Sequence, residues 1–244
     1  MKLVYALTIS AFALGLSASA QSVPTHDAYV KYGTPADLVA SLKAWEKGKA
    51  WGTAPEDENF FISRVPVKQR FLPGQTANPN LNETNAKNFT WCVPTGEMTK
   101  KWGPLPGYNF DGDNFNLWQY VKYHSNWSNG WWRVPGAFND VAHKNGVQTG
   151  CTYFIDWGAS VGPYTAAGKP LWDLSAKVGG NFVYAEKLVD FLHYYGIDGL
   201  TFNPEGQWGT TLANQFKAFL AECHRIAKEK GYTFRVDWYA FVLN

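Results

Sequence analysis

Cysteine is scarce in this chain: Cys92, Cys151 and Cys223 are the only three, at wide spacing. Their odd number and spacing exclude a disulfide framework and the paired-cysteine patterns that hold zinc. Buried free thiols are the default, and a single disulfide stays open because an exported chain meets an oxidising compartment. The five histidines, His26, His124, His143, His193 and His224, form no HExxH or comparable ligand spacing. No metal site and no cofactor is expected. Charge of one sign is also missing: 22 Lys and Arg against 20 Asp and Glu give a net +2 without any dense basic run. Nucleic acid is therefore not the expected partner. After the first residues no apolar run is long enough to cross a bilayer.

The longest apolar run stands at the beginning, and it too is short for a bilayer span. Lys2 is a short basic start, Leu3 to Leu16 an apolar run, and Ala18 and Ala20 supply the small residues of a secretory cleavage site before Gln21. Residues 1–20 read as a signal peptide, and the protein as exported, secreted or periplasmic, with no membrane span. No cysteine follows the small residues, so a lipid-anchored N-terminus is not expected. The remainder is long enough for one domain with a real core. Aromatics are what the chain has in excess: 12 Trp, 13 Tyr and 16 Phe, set among Gly, Asn and Pro. Core packing is the default for any one of them, but the number points to platforms for the flat apolar faces of sugars.

The lead-in, residues 21–87, opens with a helical pattern from Thr34 to Trp51, with Leu38, Leu42 and Trp45 at helical spacing, Thr34 as N-cap and Pro35 at the first helical position. Phe60 to Phe71 alternates enough for a strand or extended segment, and Leu72 to Asn85 is a loop. Asn82, Asn88 and Asn126 begin formal glycosylation sequons, meaningful only in a eukaryotic source. From residue 88, strands and helices alternate. Strands are expected over Asn88–Pro94, Leu117–Trp127, Val147–Trp157, the stretch around Gly199, and Tyr232–Tyr239. Helices are expected over Gly136–Asn145, Asn181–Tyr195 and Thr210–Lys230, the first ended by Gly146 and the last by Gly231. This alternation predicts βα units and a parallel sheet.

The stretch from Tyr194 to Trp208, YYGIDGLTFNPEGQW, organises the rest. It reads as a buried parallel strand entered from a helix, on which Thr201, Asn203 and Glu205 share one face. If that face is the lumen of a β/α barrel, an amide and a carboxyl stand side by side at the end where such barrels do chemistry. A polar strand end capped by a surface Glu fits the spacing equally well.

Five pieces, in order, carry a family resemblance: RVPVKQRF (Arg64 to Phe71), FNLWQYVKY (Phe115 to Tyr123), VP-x-x-x-x-D-x-AHKNGV (Val134 to Val147), YGIDGLTFNPEG (Tyr195 to Gly206) and the pair Trp238-Tyr239. Together they resemble the catalytic barrel of glycoside hydrolase family 85, the endo-β-N-acetylglucosaminidases. The resemblance implies an α/β fold of (β/α)8 TIM-barrel type over residues 88–244. Only about the first five βα units are expected here, since five strands do not close an eight-stranded barrel, so the chain is expected to be C-terminally incomplete and its own activity is an open question. Family 18 enzymes carry DGxDxDxE on the fourth strand; here Thr201 and Asn203 stand where two of the Asp residues would be, which favours family 85.

The resemblance also implies the substrate and the roles. N-glycans of glycoproteins would be cut between the two core N-acetylglucosamines by a substrate-assisted retaining route through an oxazoline, a recognised exception to the two-carboxylate scheme. Asn203 would orient the acetamide, Glu205 would act as acid and base, and Tyr239 would support the acetamide. Trp157, Trp208 and Trp238 are candidate sugar platforms, whereas Asp156 and Asp198 read as residues that orient neighbours or cap structure. The family's Trp-Tyr pair is usually followed by an acid, and Ala240 departs from this. Two other readings stay open: a non-catalytic glycan-binding remnant, against which the Asn203 and Glu205 pair weighs, and a chitinase-like hydrolase of family 18 type. The sequence gives no oligomeric state.

Overall fold

The computed structural model describes residues 39, 42–49, 61–70, 90–94, 118–127, 134, 136–155, 174–204 and 210–238. Five strands form one all-parallel sheet: β1 (Thr90–Pro94), β2 (Tyr123–Trp127), β3 (Gln148–Ile155), β6 (Gly199–Pro204) and β7 (Arg235–Trp238), in that spatial order. Between β3 and β6 lies an antiparallel two-residue pair, β4 (Lys177–Val178) and β5 (Asn181–Phe182). Each strand of the large sheet lies beside the one before it in the chain. That winding is the barrel's; a doubly wound sheet would reverse its order at a switch point.

Three helices return the chain: α1 (Gly136–Lys144) before β3, α2 (Ala185–Tyr195) before β6 and α3 (Thr210–Lys230) before β7. All three end in the same way. The amide of the glycine bonds back to the third residue before it, and the next amide bonds to the fifth: Gly146 to His143 and Val147 to Ala142, Gly196 to His193 and Ile197 to Leu192, Gly231 to Lys228 and Tyr232 to Ala227. This Schellman arrangement needs a left-handed residue, and the three glycines have φ of 72°, 72° and 68°. The chain is thereby turned from each helix into the base of the next strand.

Side chains alternate along the strands, and the sheet's two faces have different company. Cys151, Tyr153, Leu200 and Phe202 face the helices, where Phe216, Phe219, Leu188 and Phe191 are fully buried. Tyr153 stacks on Phe202 at 5.7 Å between centroids, and Phe202 meets Phe216 at 4.4 Å. Each such buried apolar side chain contributes about 1.5–3 kcal/mol. The helical spacing of Leu212, Phe216, Phe219, Leu220 and Cys223 predicts an apolar stripe on α3; Phe216, Phe219, Leu220 and Cys223 are all buried, and the side chain of Leu212 lies outside the described ones. Val39, Leu42, Trp45 and Phe61 of the lead-in belong to the same core, with Trp45 against Phe191 edge to face.

Several boundaries differ from expectation. In the lead-in helix, Leu42–Ala44 is helical but the chain has left the helix at Trp45, which turns inward to reach α2; Thr34 and Pro35 lie outside the described residues. Residues 62–70, expected as a strand or extended segment, form no strand and cross the base of the fold, the Ser63 amide donating to the Tyr195 carbonyl and that of Lys68 to the His143 carbonyl. The front of the second expected strand is a 3-10 turn, Trp118–Tyr120. That turn tucks Trp118 against Phe138 at 5.7 Å and leaves Tyr120 exposed, which a strand, with both residues on one face, would not do. The helix expected from Asn181 begins at Ala185, because Gly179 and Gly180, both at positive φ, close a hairpin of β4 and β5. The last strand starts at Arg235 instead of Tyr232. Residues 1–20 lie outside the described residues.

Candidate functional site

The carboxyl ends of β6 and β7 are neighbours at the end of the sheet where barrel enzymes place their chemistry. Asn203 is the next-to-last residue of β6, with Phe154 of β3 as its Cα partner, and Trp238 is the last residue of β7, opposite Phe202. Glu205, Trp157, Trp208 and Tyr239 lie outside the described residues.

Below that rim, the lumen face is a packed polar floor that the sequence reading did not single out beyond Thr201. Tyr123 of β2 is fully buried and lies over Gly150 of β3, where any Cβ would collide with its hydroxyl. Thr201 Oγ1 donates to the Tyr123 hydroxyl at 3.4 Å. The Arg235 guanidinium sits over the Tyr123 ring at 4.6 Å, a cation–π contact, and its Nε donates to Asp237 Oδ1 at 3.1 Å. Burial pushes the Tyr123 phenol well above its ordinary value, against the opposing Thr201 bond, with Asp237 adding to the rise. Tyr123 is therefore a neutral hydroxyl at any working pH. The signal for this floor was present in the sequence as alternation: Arg235 and Asp237 are two apart on one strand.

The other end of the sheet is built differently. Asp198, immediately before β6, accepts from the backbone N–H of Thr149 and from His143 Nε2, each at 2.8 Å, and the other ring nitrogen of His143 bonds the Val65 carbonyl at 2.5 Å. Burial, the largest single influence, opposes charge on this ring, yet the Asp198 carboxylate, the Val65 carbonyl and Asp140 raise its pKa above the ordinary histidine value. Asp198 thus orients neighbours, as its sequence position suggested. A groove of about 630 Å³ opens here, lined by Arg64, Val65, His143, Tyr194, Asp198 and Tyr232 among others. It lies at the amino ends of the strands, away from Asn203, so its size does not make it the reaction site.

Among the described residues no three His, Cys, Asp or Glu cluster as a metal site, and no helix is long and apolar enough to cross a membrane. Cys151 and Cys223 are free and buried.

The family model for glycosyl hydrolase family 85 matches residues 99–244. Among solved structures, the glycoside hydrolase domain of Endo-D from Streptococcus pneumoniae R6 aligns with a TM-score of 0.59 at 18% identity, covering 88% of this chain and 31% of that one. At that identity the likeness speaks for the fold, a mixed α/β architecture with a curled parallel half-barrel sheet; this chain spans less than a third of the solved one. No curated protein sequence matches the chain. Because the family match takes in every strand from β2 to β7, the three helices and the Asn203–Glu205 stretch, well over half of the sequence, this chain belongs to glycosyl hydrolase family 85.

Proposed function

We propose that this protein is an exported endo-β-N-acetylglucosaminidase that hydrolyses the β-1,4 bond between the two core N-acetylglucosamines of N-linked glycans. The observation that carries the reading is the family match over residues 99–244, which includes Asn203 and Glu205. The parallel, sequentially wound sheet supports it as part of a (β/α)8 barrel, of which residues 88–244 contribute about the first five units. Residues 1–20 act as its export signal and 21–87 as the lead-in.

The chemistry follows from a site with one carboxylate on the reacting strand. The carbonyl oxygen of the substrate's 2-acetamido group attacks C1 while the bond from C1 to the leaving sugar oxygen breaks, and Glu205 gives its proton to that oxygen. Positive charge spreads over the resulting oxazolinium ring, whose nitrogen side Asn203 hydrogen-bonds while Tyr239 supports the acetamide. Water then attacks C1, Glu205 takes its proton, the ring reopens to the acetamide, and configuration is retained over two inversions. Glu205 must be protonated at the start, so its pKa has to be raised, which a dry aromatic surrounding supplies. Trp157, Trp208 and Trp238 serve as sugar platforms in that surrounding.

The test is incubation of the protein with a high-mannose glycoprotein. The expected result is a glycoprotein left with one core sugar per site and a released glycan ending in the other. Cleavage of free chitin oligomers with the glycoprotein untouched would overturn the substrate, and binding of glycan without release would overturn the reaction.

A further inference from the structure

The lumen floor has an electrical direction. On β7, Arg235 is level with Gly199 of β6 and Asp237 with Thr201, so the next level towards the carboxyl end is that of Asn203. Arg235 and Asp237 are thus an ion pair of two residues on the lumen face, the acid at the level below Asn203 and the guanidinium its positive end. The positive end is fixed by the Tyr123 ring, which is itself wedged over Gly150. The pair is half-buried, at 21% and 22% side-chain exposure, so it is shielded from bulk water without being sealed from the lumen.

We infer that Asp237, oriented by Arg235, is a further residue of the reaction, its carboxylate stabilising the positive charge that develops on the oxazolinium above it. The inference rests on the endoglycosidase reading. It answers a need which that reading leaves open: Asn203 is neutral, and a cation forming in a low-dielectric site gains most from a fixed negative charge already in place. Thr201, level with Asp237, offers only a hydroxyl, and that hydroxyl is bonded to Tyr123. Among the described residues, Arg235 on its own strand bonds Asp237, and Tyr123 on β2 is near enough to feel its charge while staying neutral.

Kinetics on the full chain test this, with a high-mannose glycoprotein as substrate. A unit charge about 10–12 Å away at an effective dielectric near 20 changes a rate by about tenfold. Asp237→Asn is therefore expected to lower kcat by about that factor with KM little changed. Removing the negative charge also makes Glu205 easier to ionise, so the basic limb of the pH profile moves down by a few tenths to one pH unit. Arg235→Gln removes the positive charge bonded to Asp237 and moves the limb up, and Asp237→Glu keeps it in place. Opposite movements from two variants that both disturb the floor do not arise from lost stability. Wild-type kcat and an unmoved limb in Asp237→Asn, or movement in the same direction in both variants, would overturn the role of Asp237. No release by the wild-type protein would overturn the functional reading itself.

Discussion

His143 Nε2 and Asp198 Oδ2 are 2.8 Å apart, in side chains 4% and 9% exposed, and they join the end of α1 to the base of β6 across 55 residues of sequence. The geometry sets the protonation state of the ring. A carboxylate faces one nitrogen and the Val65 carbonyl faces the other, both acceptors only, so both nitrogens must carry hydrogen and the ring is an imidazolium. Through Val65 the same ring also holds the lead-in against the base of the sheet.

Removing the acid leaves that imidazolium buried without its counter-charge and strips the Thr149 amide of its acceptor. Asp198→Ala is expected to cost about 3–5 kcal/mol in urea unfolding at pH 6. The histidine's pKa is raised on folding, so its contribution is full below the unfolded value, near 6.5, and is lost as pH rises through the folded value. The stability gap between wild type and His143→Gln should narrow from pH 6 to pH 9. A constant gap would show that folding does not raise the ring's pKa, and a widening one that the ring is neutral in the native state.

Gly150 and Gly199 test the lumen floor from two sides. A Cβ at Gly150 meets the Tyr123 hydroxyl, whereas one at Gly199 meets the backbone carbonyl of Arg235. Gly150→Ala is expected to cost about 1–3 kcal/mol through overpacking. Tyr123→Phe, which removes the colliding oxygen, should recover part of that cost in the double variant. Gly199→Ala should gain nothing from Tyr123→Phe, because backbone cannot step aside. Thermal unfolding of the three single and two double variants checks the pattern, and equal recovery at both glycines would contradict it.

The parts legible in the sequence are those fixed by short-range chemistry. α3 was readable to its ends because a stripe of Phe216, Phe219, Leu220 and Cys223 runs into Gly231, and glycine is the residue that tolerates the left-handed turn there. The hairpin of β4 and β5 was hidden because Phe182 falls at helical spacing with Ala185 and Leu188. It is buried instead from the hairpin, edge to face on Phe219 at 5.6 Å. The double glycine before it is the hairpin's local signal. Long-range partners had no local trace at all: nothing near His143 announces Asp198, and nothing near Tyr123 announces Arg235. Of the proposed site, Asn203 and Trp238 were expected on strands and lie on them, while the roles of Asn203, Glu205 and Tyr239 came from family resemblance.

Burial pushes both described thiols up, that of Cys223 with some help from Glu222, so neither is a thiolate at neutral pH. Cys151 points into the helix-facing core and Cys223 into the α2–α3 contact. A thiol reagent added to the folded protein is expected to leave both unmodified for as long as the fold lasts, and to label both at once in urea. Peptide mapping distinguishes them from Cys92. Rapid labelling of Cys223 with circular dichroism unchanged would mean that α3 opens locally from α2.

Under the substrate-assisted reading the amide and the acid fail in different ways. Glu205→Gln removes the proton donor and should lower kcat by about 10²–10⁴, with the basic limb of the pH profile gone because the group that made it is gone. Asn203→Ala removes a hydrogen bond that matters most once the acetamide has become positive, and should lower kcat by about 10²–10³ while the limb set by Glu205 remains. KM should change little in Asn203→Ala if the bond strengthens only in the transition state. Asn203→Asp separates charge from shape: a second carboxylate beside the acid makes its ionisation harder and moves the basic limb to higher pH. The profiles of glycan release for the three variants check this order. Persistent release by Glu205→Gln would remove Glu205 from the reaction, and a limb unmoved in Asn203→Asp would place residue 203 too far from the acid to act with it.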